Sequence, residues 1–134
     1  MPHVVVQYTA NLEPEANVGA LCNVLAATLV AQRDGSGVRL FPTGGTRVLA
    51  YPAARFTVAD GAPDRAFVYI HVRIARGRER ALVDAAGEAL MAAVRAHFAG
   101  LLATRALGIT LQIDEGAPVF DAKHGTLHPL FSDR

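Results

Sequence analysis

The sequence predicts an α/β fold of the two-layer α+β kind. Tandem βαβ units would form one four-stranded sheet with two helices on one face. Three observations predict it. The order strand–helix–strand occurs twice along the 134 residues, with a turn-rich break near the midpoint. A strand–helix–strand crossover favours parallel pairing of its two strands with a right-handed connection. Each helical segment also carries a single apolar stripe, as a helix covering one side of a sheet does. The halves span about residues 2–58 and 65–115, a tail covers 116–134, and the length suits one domain.

The first strand runs over residues 3–8, where three valines and a tyrosine favour extended backbone. Residues 14–31 follow with Val18, Leu21, Cys22, Leu25 and Leu29 at helical spacing. Pro14 suits a first helical turn, and Asp34-Gly35-Ser36-Gly37 ends the element. Extended segments at Val38–Leu40 and Arg47–Tyr51 are separated by Pro42-Thr43-Gly44-Gly45. The loop Ala59-Asp60-Gly61-Ala62-Pro63-Asp64 then punctuates the chain. After it, Ala66–Ile74 alternates strictly: Val68, Ile70, Val72 and Ile74 face one way, Phe67, Tyr69, His71 and Arg73 the other. A long helix is predicted from about Glu79 to Thr104, with its stripe through Leu82, Ala86, Leu90, Val94, Phe98 and Leu101. Leu107, Ile109, Leu111 and Ile113 alternate as a fourth strand. Two helices cover only one face of this sheet, whereas parallel strands are normally buried on both. The uncovered face carries Phe67, Tyr69 and His71, so a homo-oligomer is expected to cover it.

Composition narrows the function classes. Half the residues are hydrophobic, a fifth are charged, and the net charge is +1. Lys123 is the sole lysine, so arginines carry nearly all the positive charge and an anion site would be built from discrete guanidinium groups. No basic block suggests nucleic acid or a membrane surface. No leader pattern or membrane-length apolar run occurs, which leads to an expectation of a cytoplasmic protein. Cys22 is read as a small buried hydrophobe. Gly44-Gly45-Thr46 lacks the lysine and helix start of a phosphate loop and reads as a turn. The five histidines show no metal-ligand spacing. Asp84 and Glu88 share a helix face that solvent explains, and no serine stands in a nucleophile setting.

Two features carry chemistry. Pro2 stands at the head of the first strand, where its missing N–H costs no ladder bond. Removal of Met1 would leave there a free secondary amine. An α-amino group titrates at about 7.7–8.0, and burial and nearby arginines both lower that value. Such an amine suits a base at neutral pH. The second feature is Arg76-Gly77-Arg78-Glu79-Arg80, where the third strand turns into the second helix. Cations at a helix start oppose its dipole by about 0.3–1 kcal/mol, so Arg78 makes sense there if an anion sits between the guanidinium and the helix N–H groups. The competing reading is a solvated surface cluster. Arg47, in a strand-like segment of small and apolar residues, has the same two readings, and Arg80 is assigned to solvent. Together, a proline amine and arginines suit proton movement on an acidic, conjugated carbonyl compound.

Several motifs add a resemblance. They are Pro2-His3, Leu40-Phe41-Pro42, Gly45-Thr46-Arg47, Ala59-Asp60-Gly61, Asp64-Arg65-Ala66-Phe67-Val68 and Gly77-Arg78. Ala96-His97-Phe98 and the tail Lys123…Leu127-His128-Pro129-Leu130-Phe131 continue the series. In order and spacing, nearly end to end, they resemble the 5-carboxymethyl-2-hydroxymuconate Δ-isomerase family of the tautomerase superfamily. The resemblance implies a trimer whose sheets surround a central barrel. It implies that Pro2 becomes the mature N-terminus and shuttles a proton on a dienol di- or tricarboxylate, in the breakdown of homoprotocatechuate. No metal or organic cofactor is implied. Arg47 and Arg78 fall where the family places arginines near the proline, and are carried over as binders of substrate carboxylates. Leu49 departs from the pattern, which has a second arginine there. Two alternatives stand beside this reading. One is another tautomerase-superfamily reaction, such as decarboxylation, hydration or dehalogenation of an unsaturated acid, with a cationic Pro2 as the acid. The other is a non-catalytic oligomeric binding module in which Pro2 merely starts a strand.

Overall fold

Strand β1, His3–Thr9, lies inside the sheet and pairs on both edges. It runs parallel to β2, Arg47–Ala53, in the register Val4↔Val48 and Val6↔Ala50. On its other edge it runs antiparallel to β3, Ala66–Ala75, with Val4 opposite Val72. β3 is in turn parallel to β4, Leu107–Gly116. The order is therefore β2-β1-β3-β4, and each half contributes one parallel pair, as the repeated βαβ order predicts. The computed structural model describes residues 1–133.

Helix α1, Val18–Ala31, and helix α2, Arg80–His97, pack together against one face of this sheet. Leu21, Leu25 and Leu29 of α1 recur every fourth residue and are fully buried. They meet Ala86, Leu90 and Val94 of α2 over Val4 and Val6 of β1 and Val68, Ile70, Val72 and Ile74 of β3. Each fully buried Val, Leu or Ile contributes about 1.5–3 kcal/mol relative to leaving it in water. None of the described helices is long and apolar enough to cross a membrane.

Local details depart from the sequence expectations in four places. Pro14 does not open α1: it follows a cis Glu13–Pro14 peptide, and the helix begins at Val18 behind a 3₁₀ turn at Ala10–Leu12. Val38–Leu40 forms no strand; an isolated Arg33–Arg39 bridge closes this loop, and only Arg47–Ala53 enters the sheet. The predicted 79–104 helix is two elements, because Phe98 leaves helical geometry at φ −93°, ψ 9° before α3, Ala99–Thr104. That break keeps the Phe98 ring in the core, while His97 Nε2 donates to the Ala16 carbonyl at 2.6 Å. Cys22 is half-buried rather than buried, and partial burial pushes its thiol pKa up.

The other face of the sheet is open, as expected. Phe67, Tyr69 and His71 stack along β3 with ring centroids 6.5 and 6.2 Å apart. Tyr69 donates its hydroxyl to Gln112 at 2.8 Å, and His71 Nε2 lies 2.5 Å from an Asp114 carboxylate oxygen. Leu49 and Tyr51 of β2 share this face, each about half exposed.

Beyond β4 the tail returns to the start of the chain. Its end is fastened at Asp133, which accepts hydrogen bonds from the Thr43 backbone N–H at 3.2 Å and hydroxyl at 2.7 Å. Asp133 also pairs with Arg39 at 2.5 Å. His128 and Phe131 press against Gly44 so closely that a Cβ there would come within 3.1–3.2 Å of both.

Candidate active site

The head of β1 and the head of β2 lie side by side because the two strands are parallel. Pro2 is buried there, and its carbonyl accepts a hydrogen bond from the Arg47 backbone N–H at 3.2 Å. That bond extends the ladder one residue past His3↔Arg47 and uses only the carbonyl of Pro2. The missing proline N–H therefore costs nothing. In the full chain the Pro2 nitrogen belongs to the Met1–Pro2 amide, and Met1 carries the free amine. The Met1 side chain fills the space above Gly45, where a Cβ would meet its Cγ and Sδ at 2.7 Å. Gly45 is thus a backbone floor for the Met1 side chain.

A cavity of about 470 Å³ opens at this point, lined by Met1, His3 and Arg47 from the strands and by residues 121–125, Leu127 and His128 of the tail. Arg47 is half-buried, and its guanidinium makes one hydrogen bond, from Nη1 to the Gly45 carbonyl at 3.3 Å. Among the described residues it has no carboxylate partner. Arg78 does not line the cavity, and it precedes α2 rather than sitting in its first turn. Its guanidinium lies 4.7 Å over the Phe41 ring and donates to the Leu40 carbonyl from Nε and the Ala75 carbonyl from Nη1, both at 3.1 Å. Burial lowers its pKa, yet no described carboxylate pairs with it. Arg80, by contrast, points to solvent and pairs with Asp84 at 2.8 Å.

The electrostatics join what the lining separates. The N-terminal amine has a lowered pKa, first through burial, then through the charges of Arg78, Lys123 and Arg47; Asp121 acts in the opposite direction. Both arginines singled out in the sequence therefore act on the amine that stands beside Pro2. His3 is lowered by burial and by Arg47. The surroundings make the neutral form of an amine there easier to reach, and an anion in the cavity finds the Arg47 guanidinium without a described carboxylate partner.

A larger groove, about 840 Å³, runs between α2 and the free edge of β4. Asp84, Glu88, Asp114 and Glu115 line it against Arg80 alone, which is already paired with Asp84. It repels anions, and the smaller cavity is the candidate site.

Residues 2–131 match the family model described as 5-carboxymethyl-2-hydroxymuconate isomerase. The chain belongs to this family. The 5-carboxymethyl-2-hydroxymuconate Δ-isomerase of Escherichia coli is 31% identical over 131 residues, which are 98% of this chain and 99% of that protein. A crystal structure of a 5-carboxymethyl-2-hydroxymuconate Δ-isomerase superposes with a TM-score of 0.92 at 46% identity, covering 97% of this chain and 92% of the other. A second, from Deinococcus radiodurans R1, gives 0.85 at 32% identity over 96% and 92%. More distantly, a fused 4-OT symmetric trimer shares the fold, with a TM-score of 0.56 at 22% identity over 84% and 85%. The protein is thus an isomerase of the tautomerase kind, built as a four-stranded mixed sheet under two main helices.

Part of this isomerase's cavity comes from the tail. Lys123, Asp121 and His128 line the cavity, and neither periodicity nor a spacing rule marks them. Lys123 and His128 are marked only as parts of the tail motif that carries the resemblance, with no role assigned, and Asp121 by nothing but the bunching of charged and histidine side chains around it.

Proposed function

We propose that Pro2, released as the N-terminus by removal of Met1, is the general base and acid of this isomerase. Its substrate is an unsaturated 2-hydroxy di- or tricarboxylate such as 5-carboxymethyl-2-hydroxymuconate. The neutral amine accepts the proton of the 2-hydroxyl, and the electron pair of the breaking O–H bond becomes the carbonyl. The conjugated double bonds shift by one position, and the protonated amine returns its proton to the far carbon. Proton count and electron count are unchanged, so the reaction needs no co-reactant. Arg47 and Arg78 hold carboxylates and draw electron density toward them. One observation supports this reading above the others: the amine of Met1, one residue ahead of Pro2 and beside a cavity at the head of β1, has its pKa lowered by burial and by both arginines. Removal of Met1 would place the Pro2 amine in the same surroundings. The named activities of the relatives support this substrate; a place in homoprotocatechuate breakdown in the cytoplasm is part of the same proposal.

The ultraviolet change on enol-to-enone conversion tests the reading directly. The chain beginning at Pro2 should convert 5-carboxymethyl-2-hydroxymuconate, and a chain with Pro2 blocked should not. Assembly belongs to the same proposal. The open face with its ring stack, and the free edge of β4, suit a homotrimer closed around a barrel. Light scattering after size exclusion should report about three subunits; a stable monomer would contradict the burial argument.

A further inference from the structure

The tail brings the cavity a cation that the isomerase reading does not use. Lys123 is the only lysine in the chain, and it lines the cavity together with Met1, His3 and Arg47. The segment that carries it has no regular structure between β4 and the 3₁₀ turn at His128–Leu130. It is nonetheless fastened through and beyond that turn: His128 and Phe131 pack on Gly44, and Asp133 holds Thr43 and Arg39. Lys123 pairs through Nζ with Asp121, which is the one carboxylate in the cavity lining. Arg47, which also lines the cavity, has no such partner among the described residues, so two kinds of cation face the site: one open guanidinium and one lysine with its own counter-ion.

We propose that Lys123 is a third substrate-carboxylate anchor. It would exchange Asp121 for the carboxylate of a carboxymethyl arm, and so select a tricarboxylate over the corresponding dicarboxylate. This rests on the isomerase reading above. A compact ammonium on a flexible stem can swing from one carboxylate to another with little geometric demand, which a planar guanidinium fixed on a ring cannot. Asp121 also keeps the lysine from being an unpaired charge when the site is empty. Exchange of one carboxylate for another leaves that pairing intact. The Met1 amine, one residue ahead of Pro2, feels both groups, lowered by Lys123 and raised by Asp121.

The test compares kcat/KM for 5-carboxymethyl-2-hydroxymuconate and for 2-hydroxymuconate, which lacks the carboxymethyl arm, in wild type, Lys123→Ala and Lys123→Arg. Taking the ratio of the two substrates removes any change in amine basicity common to both. In Lys123→Ala the ratio should fall about tenfold to a hundredfold, the cost of one charge-assisted contact. Lys123→Arg keeps the charge and should restore most of it. A ratio unchanged in Lys123→Ala overturns the proposal, as does an equal loss in Ala and Arg, which would mark a structural role in the tail. A Pro2-blocked chain with full activity would instead overturn the isomerase mechanism beneath it, whatever the ratio.

Discussion

A chain that keeps a residue ahead of Pro2 is expected to lose isomerase activity and keep its fold. The nitrogen of Pro2 is then an amide, whose lone pair is delocalised into the carbonyl and accepts no proton. General acid–base catalysis is worth about 10²–10⁴-fold, so kcat/KM should fall by about that factor. The fold should survive because Pro2 contributes only its carbonyl to the ladder, and Met1 packs over Gly45 without strand pairing. Circular dichroism and light scattering would confirm that survival. Pro2→Ala is the milder companion: it leaves a primary amine in place, but with different basicity and without the ring that fixes its direction. Its loss should lie between wild type and the blocked chain. Full activity in a blocked chain would remove the proline from the mechanism.

Arg47→Ala and Arg78→Ala are each expected to lower kcat/KM about ten- to a hundredfold. A hydrogen bond to a charged group contributes about 1.5–3 kcal/mol, at 1.4 kcal/mol per tenfold. Arg80→Ala should change little, since that side chain is 83% exposed and its partner is Asp84. The pH profile gives a second, independent readout. Arg78 and Arg47 both lower the pKa of the Met1 amine, and a Pro2 amine one residue on would feel the same charges, so removing either should raise it. A base that must be neutral then works only at higher pH, and the acid limb of kcat/KM moves upward. Arg78→Ala should move it further, because Arg78 is the largest of the charges acting on the neighbouring Met1 amine. Arg78 also stacks on Phe41 and ties two carbonyls, so its variant should lose some stability as well. Three variants with normal rates and an unmoved limb would return all three arginines to the surface.

Much of the architecture was legible because it follows local periodicity. The strict alternation of 66–74 emerges as buried Val68, Ile70, Val72 and Ile74 under the helices, with Phe67, Tyr69 and His71 on the open side. The stripe of the second helix buries Ala86, Leu90 and Val94 as read, though Val83 rather than Leu82 faces the core. The errors sit where a nonlocal contact decides. The break at Phe98 serves a core position and a hydrogen bond from His97 to Ala16, 81 residues away. The tail is placed by Thr43 and Asp133, 90 residues apart, and no window of sequence contains both. The site divides in the same way. Pro2 and Arg47 could be read because both stand at strand heads, which the parallel βαβ pairing brings together. The perch of Arg78 on Phe41 and the arrival of Lys123, Asp121 and His128 could not, since loop and tail conformations set them.

The central claim is that the Pro2 amine is the base, tuned by the charges around it. It is tested most directly by titrating that amine in the processed protein, using ¹⁵N-labelled proline and NMR, beside the kcat/KM profile of the same sample. The amine should titrate below the ordinary α-amino range of about 7.7–8.0, its pKa should coincide with the acid limb, and both should rise together in Arg78→Ala. An amine that titrates within or above the ordinary range, or an acid limb that stays put while the amine moves, would contradict the account.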